Sequence, residues 1–275
     1  LCVMEASGPY YLRLAICLHE AGMSVSVVNP LVIRRYSQMQ LKRSKTDRMD
    51  AQIIAQYGQQ FDAQLPIWEP PNSVFIRMRQ LISLLELQQK QLTMLTNHFE
   101  ALQQAPVIDR YVKEGLEQQI KQTKQLIQDL DKQLVSLSQN HFQQTNQRLQ
   151  SIPGIGPKTA ALLIATTHDF ARFDSAKQLV AFVGLCPRIF QSGSSVKGKE
   201  RIVKMGQPTL RKLLYMAAFS AMKYNQPCVE LTNRLKQKGK HYRTIRVAVA
   251  HKLLRQAFGV VHTQTLFDSN FVKST

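Results

Sequence analysis

Cysteine is scarce and poorly placed for cross-linking. Cys2, Cys17, Cys186 and Cys228 are scattered singly with no Cys-x-x-Cys pair, which argues against both a disulfide scaffold and a structural zinc site. Acidic residues are few, 18 Asp and Glu against 36 Lys and Arg, for a net charge of +18. No apolar run approaches the roughly 20 residues that a membrane-spanning helix needs. Glycine and proline, 12 and 11 of 275 residues, are too sparse for a collagen-like polymer, and a hydrophobic fraction of 44% is too high for a disordered polybasic tail. A basic-then-apolar secretory leader is missing, and the chain opens on Leu1, inside an apolar run, without an initiator methionine. These absences lead us to expect a soluble, cytoplasmic protein in a reducing setting, with one large or two smaller domains, and a chain that is a fragment of a longer one.

The charge that is present is unevenly spread. Residues 1–65 carry 7 basic and 5 acidic side chains, residues 66–150 carry 9 and 8, and residues 151–275 carry 20 and 5. Nearly all the excess lies in the last part, where a polyanion, above all nucleic acid, is the expected partner. Charge alone does not separate this from a ribosomal-type or membrane-surface protein.

Pattern divides the chain into three parts. In residues 1–65, Leu1 to Met4 reads as a strand ending at Glu5, Tyr10 to Glu20 as a helix, and Ser24 to Val28 as a second strand closed by Asn29-Pro30. A helix, a basic stretch from Leu41 to Lys45 and another helix from about Ser44 to Gln59 follow. Strand-helix-strand-helix order implies a mixed or parallel sheet, and since two strands make no stable sheet unaided, more are expected upstream. Residues 66–148 begin with a proline-rich linker. Val74, Met78, Leu81, Leu85, Leu92, Leu95, Phe99 and Leu102, and then Leu116, Ile120, Ile127, Leu130, Leu134 and Leu137, repeat with 4-3 spacing, as in a coiled coil or helical hairpin. That hairpin could pack on itself or on a second chain. Residues 149–275 are expected to be mainly α, interrupted by an irregular Gly/Ser/Lys stretch from Gly184 to Met205.

Three constellations could carry chemistry. The run Pro153-Gly154-Ile155-Gly156-Pro157-Lys158 has the form of a helix-hairpin-helix. Its glycines would let backbone N–H groups and a helix N-terminus approach a phosphate beside Lys158. An ordinary helix-helix turn is the alternative. Asp47 and Asp50, three apart on a helix, share a face, where like charges repel unless a cation such as Mg²⁺ sits between them. Glu5, at the carboxyl end of a strand, would complete such a site beside Arg43, Lys45 and Arg48. The alternative for Asp47 is a capping box with Ser44. Finally, Ser192 lies on a glycine-bearing stretch amid Arg188, Lys197, Lys199, Arg201, Lys204 and Arg211. A hydroxyl there could attack a phosphodiester while the cations offset the developing charge. A solvated Gly/Ser loop is the alternative. No histidine pair has metal-ligand spacing, and His251 is expected to be a surface or phosphate contact.

Taken in order, Met4-Glu5-Ala6-Ser7-Gly8, Lys45-Thr46-Asp47-x-x-Asp50-Ala51, the heptads, the Pro-Gly-Ile-Gly hairpin and the block Gly184…Gln191-Ser192-Gly193…Lys204-x-Gly206…Leu210-Arg211 resemble one family. It is the DEDD transposases of insertion sequences, which include the Piv-type DNA invertases. The resemblance implies an α/β plus α architecture: a truncated RuvC-like (RNase H-fold) domain, a helical coiled coil and a mainly α transposase domain with a helix-hairpin-helix. It implies Mg²⁺ held by four acids, of which Glu5, Asp47 and Asp50 match the second to fourth; the first belongs upstream of Glu5. It implies a serine nucleophile, best matched by Ser192 with Ser194 and Ser195 as competitors, and Gly154, Gly156, Lys158 and the cations of residues 188–212 on donor and target DNA. Guidance by a structured RNA, action as a homodimer or homotetramer, and residence at the nucleoid follow from the same resemblance. A non-catalytic DNA-binding protein and a metal-dependent junction nuclease are the rival functions.

Overall fold

The apolar opening run forms a strand, β1 (Cys2–Glu5), and β2 (Val25–Val28) lies parallel to it, with Cys2 opposite Val25 and Glu5 opposite Val28. The computed structural model describes residues 1–40, 46–188, 191–192, 196–197, 201–202 and 206–269, mostly helical with few strands. These fall into two units, Leu1–Asn72 and Ser73–Thr275.

In the first unit, helix α1 (Tyr10–Glu20) supplies the crossover that a parallel pair requires. Asn29 ends β2 and begins α2 (Pro30–Met39): its side chain accepts the Leu31 N–H at 2.9 Å, and Pro30 stands where no donor is needed. Helix α3 (Asp47–Phe61) starts later than the sequence suggests. Thr46 is its N-cap, accepting the Met49 N–H at 3.3 Å, so Asp47 is the first helical residue and no partner of a Ser44 cap; Ser44, with Arg43 and Lys45, lies outside the described residues. Gly58 lets α3 lie against β1, because a Cβ there would stand 2.8 Å from Val3 Cγ2. Ile53, a turn and a half nearer the helix start, shares a core with Val28, the register partner of Glu5. Tyr36, Tyr57 and Phe61 pack edge-on or tilted in the same core, with Tyr36 donating to Gln60 Oε1 at 2.7 Å. Residues 66–72, read as a linker, belong to this unit, where the Trp68 N–H donates to Val25 O at 2.7 Å.

The second unit opens with α4 (Ser73–Leu102) and α5 (Arg110–His141), which pack along each other as a hairpin within the chain. The lower half of the 4-3 seam is covered: Val74, Met78, Leu134 and Leu137 enter the main core and Leu85 and Leu130 are also buried, whereas Leu92, Leu95, Ile120 and Ile127 are half-buried. A break at Phe142 separates α5 from α6 (Gln143–Gln150), and Asn146 spans it, donating to Ser138 O at 2.8 Å, Ser138 Oγ at 2.9 Å and Phe142 O at 3.0 Å. After the glycine turn comes α7 (Pro157–Thr167), buried on nearly every side from Thr159 to Ala165, as an all-round apolar helix must be. Around it stand α8 (Ala176–Val183), α9 (Pro208–Tyr224), α10 (Gln226–Gln237) and α11 (Tyr242–His262). Thr209 at the start of α9 donates to Glu86 of α4, joining the helical cluster to the base of the hairpin.

Between α8 and α9, where the sequence suggests an irregular loop, the backbone forms a ribbon. β3 (Pro187–Arg188) pairs antiparallel with β6 (Arg201–Ile202), and β4 (Gln191–Ser192) with β5 (Val196–Lys197). Pro187 faces Ile202 and Gln191 faces Lys197, so the register slips by one residue between the two ladders.

Candidate nucleic-acid-processing site

The acids come first. Glu5 ends β1, half-buried, where the Ala6 N–H donates to Val28 O at 2.9 Å and carries the sheet pairing one step further. Asp47, exposed, and Asp50, half-buried, occupy the first turn of α3, a position where the unpaired N–H groups of the helix favour negative charge. All three lie in the first unit. They do not gather: among the described residues no three His, Cys, Asp or Glu side chains stand close enough to hold a metal ion. The donor set has the right chemistry for a hard cation, but the arrangement does not yet fit one.

The glycine hairpin is held from within. Gly154 has φ +108°, and a Cβ there would meet Ala221 Cβ at 2.8 Å and Ala217 O at 3.2 Å, so this residue is a glycine for its packing on α9. Gly156 has an ordinary φ of −87° and open space at its Cβ position, and it begins α7 with no side-chain cap. Lys158 is engaged by Asp131 of α5 at 2.5 Å. Sequence reasoning missed Asn225. Fully buried, it caps α10 through the Cys228 N–H, donates to Pro153 O of the hairpin at 3.2 Å and exchanges hydrogen bonds with Gln256 of α11 at 3.0 and 3.2 Å. The signal was present, since Asn225 followed by Pro227 is a helix-start pattern.

The serine segment is anchored at both feet. At one foot, Gly184 ends α8 in the left-handed conformation, φ +78°. At the other, Gly206 has φ +120°, and a Cβ there would lie 2.3 Å from Phe182 O and 2.9 Å from the Val183 carbonyl carbon. Arg211 of α9 donates from Nη1 to Val183 O at 2.8 Å, satisfying a carbonyl at the end of α8. Thus Arg211, expected at a phosphate, holds the base of the ribbon. Ser192 stands in β4, opposite Val196, rather than in a loop. Arg188, Lys197 and Arg201 are likewise in the paired strands, while Lys199, Lys204, Ser194 and Ser195 lie outside the described residues. His251 is half-buried, and burial together with the charge of Arg255 pulls its pKa down.

Comparison with known proteins places this assembly. Residues 146–233 match the Transposase IS116/IS110/IS902 family, and residues 1–107 match a second transposase family, of the DEDD type. The pilin gene-inverting protein of Moraxella bovis is 34% identical over 270 residues, 97% of this chain and 81% of that protein. Its counterpart in Moraxella lacunata matches to the same extent, 34% over 270 residues. The transposase for insertion sequence element IS1111A of Coxiella burnetii is 26% identical over 231 residues, 74% of this chain and 61% of that protein. The chain is therefore an enzyme of DNA rearrangement, a transposase or recombinase. It belongs to the IS110 family of DEDD transposases. Membership implies DNA as substrate and use of a divalent metal ion. No helix among the described residues is long and apolar enough to cross a membrane.

Proposed function

We propose that the protein cuts and rejoins DNA through Ser192. The serine oxygen attacks a backbone phosphorus, a serine–phosphate bond forms as a phosphorus–sugar oxygen bond breaks, and the departing oxygen ends as a hydroxyl carrying the proton that the serine gave up. Attack by the hydroxyl of a second strand reverses these changes and frees the serine. The observation that carries this is the ribbon itself: a serine in a paired strand, on a segment tied at Gly206 and Arg211 to the ends of two core helices. Such anchoring suits in-line attack better than a free loop.

In the same reading, residues 1–65, 66–148 and 149–275 act as a RuvC-like domain, a coiled coil and a transposase domain. Glu5, Asp47 and Asp50 serve Mg²⁺ once brought together, hard oxygen donors being suited to that ion. The α6–turn–α7 unit acts as a helix-hairpin-helix on DNA phosphates through the open side of Gly156, with Gly154 and Lys158 shaping the turn. Arg188, Lys197, Lys199, Arg201 and Lys204 hold phosphates around Ser192, and Arg211 fixes the ribbon beneath them. A structured guide RNA, a homo-oligomeric assembly and residence at the nucleoid complete the proposal, on the strength of the family resemblance. A plasmid recombination assay with the element's own RNA and Mg²⁺ tests it. Loss of recombinant in both Ser192→Ala and Asp47→Ala is the expected result, whereas activity in Ser192→Ala would refute the serine mechanism.

A further inference from the structure

The helices that follow the ribbon carry a feature that serves neither the acids nor the serine. On α9, Lys212, Tyr215, Met216, Phe219 and Lys223 recur at spacings of three and four and so share one face. Much of that face is open: Met216 is 55% and Phe219 37% exposed, and on the neighbouring α11 Tyr242 is 44% exposed. Between the rings lies the guanidinium of Arg246, 4.7 Å from the centroid of Tyr215, 4.2 Å from Phe219 and 4.4 Å from Tyr242. Its Nε–H is buried with no hydrogen-bond partner among the described residues. Such a cation stacked among rings is a stiff platform, because the ring faces hold the guanidinium plane in place.

Two partners could cover an aromatic platform. A second copy of this chain would bring like charge onto like: residues 208–262 hold eleven Lys and Arg against one acid, Glu230. Among the described residues, Lys212, Lys223 and Arg243 enter no ion pair. The local charge instead suits a polyanion. A duplex would use the cations but not the rings, since its bases are stacked on one another. An unpaired strand uses both, with phosphates on the lysines and base faces on the rings. We infer that the Tyr215, Phe219, Tyr242 and Arg246 platform is a binding surface for unpaired nucleotides of a nucleic-acid strand. This inference rests on the proposal that the protein acts on DNA. It adds a place to hold bases that are out of the duplex, as they must be whenever strands are exchanged.

The test is fluorescence anisotropy with the full chain and labelled oligonucleotides of about 12 nucleotides, within the site sizes of single-strand binders. The probes are single-stranded DNA, single-stranded RNA of the same sequence, and duplex DNA. Phe219→Ala and Tyr242→Ala should each weaken single-strand binding by about 5- to 150-fold, the loss of one stacked base, while changing duplex affinity less than about twofold. Phe219→Trp keeps a stacking surface and should bind as the native chain does, which separates stacking from folding. The RNA and DNA arms show which strand the platform prefers. Equal losses for duplex and single strands, or none for either, would overturn the inference, as would a self-association that Phe219→Ala abolishes. The recombination assay keeps the two proposals apart: single-strand binding that falls in Phe219→Ala while Ser192→Ala still recombines would refute the serine mechanism alone, and a native chain that binds none of the probes would refute both.

Discussion

Gly154 and Gly156 sit two residues apart in the same motif, yet the structure asks different things of them. Gly154 combines a positive φ with close contact to α9, so Gly154→Ala should lower stability by about 2–4 kcal/mol, while Gly156→Ala should change it by less than about 1 kcal/mol, measured by urea unfolding. A comparable loss in both would mean that the turn is not held by that packing. The need for glycine was legible in the sequence; its cause was not, since Ala217 and Ala221 lie more than sixty residues away in the chain. Lys158 teaches the same lesson, because its partner Asp131 sits on a heptad helix where any exposed acid looks alike. A pH dependence also belongs at this scale. His168, stacked on Phe75 at 4.7 Å, has its pKa pulled from 6.5 to about 4 by burial and by the charges of Arg172 and Arg79. A depressed histidine contributes stability that is complete above its unfolded value and is lost as pH falls from about 6.5 to about 4. Because the ring is only partly buried, this amounts to about 1 kcal/mol. Asp169 works in the opposite sense, since burial raises its carboxyl against the Thr145 hydrogen bond and the Arg148 charge. His168→Gln should therefore flatten the loss of melting temperature between pH 6.5 and pH 4.

Among the elements, long periodic helices were legible and short ones were not. The 4-3 spacing marked α4 and α5 because thirty or more residues repeat one face. Helix α8 escaped notice because it is short and its apolar run, Leu179 to Val183, suits helix and strand alike. The ribbon escaped because its strands are two residues each, and its shape comes from anchors outside it. Those anchors predict an effect. Gly206→Ala would force a Cβ against the Phe182 carbonyl at a strained φ, so it should displace the ribbon and abolish recombination. Limited proteolysis should then show cleavage between residues 184 and 206 with the first unit intact, whereas an active Gly206→Ala protein would mean that the ribbon needs no fixed base. The acids belong here too. Asp47 is exposed and Asp50 half-buried at a helix start, so Asp47→Asn and Asp50→Asn should change stability by less than about 1 kcal/mol while removing activity.

For the whole molecule, charge distribution is the property that sequence and structure agree on most closely. The C-terminal 125 residues hold 20 basic and 5 acidic side chains, and they form the ribbon, the hairpin and the aromatic platform. DNA affinity should accordingly fall steeply with salt, and replacing both Lys212 and Lys223 by Ala should reduce the slope of log affinity against log salt by about 1–2. The family was legible because its motifs come in a fixed order, even though no one of them is specific. The metal site was not, because three acids read from sequence are a composition, and among the described residues they do not close on an ion. The central claim concerns one oxygen atom. Trypsin cleaves after Arg188 and Lys197, so Ser192, Ser194 and Ser195 leave in a single peptide, residues 189–197. Covalent protein–DNA complex trapped during recombination, digested with nuclease and trypsin and fragmented in a mass spectrometer, should carry a nucleotide phosphate on Ser192. A phosphate on Ser194, on Ser195 or on any residue outside that peptide would contradict the account.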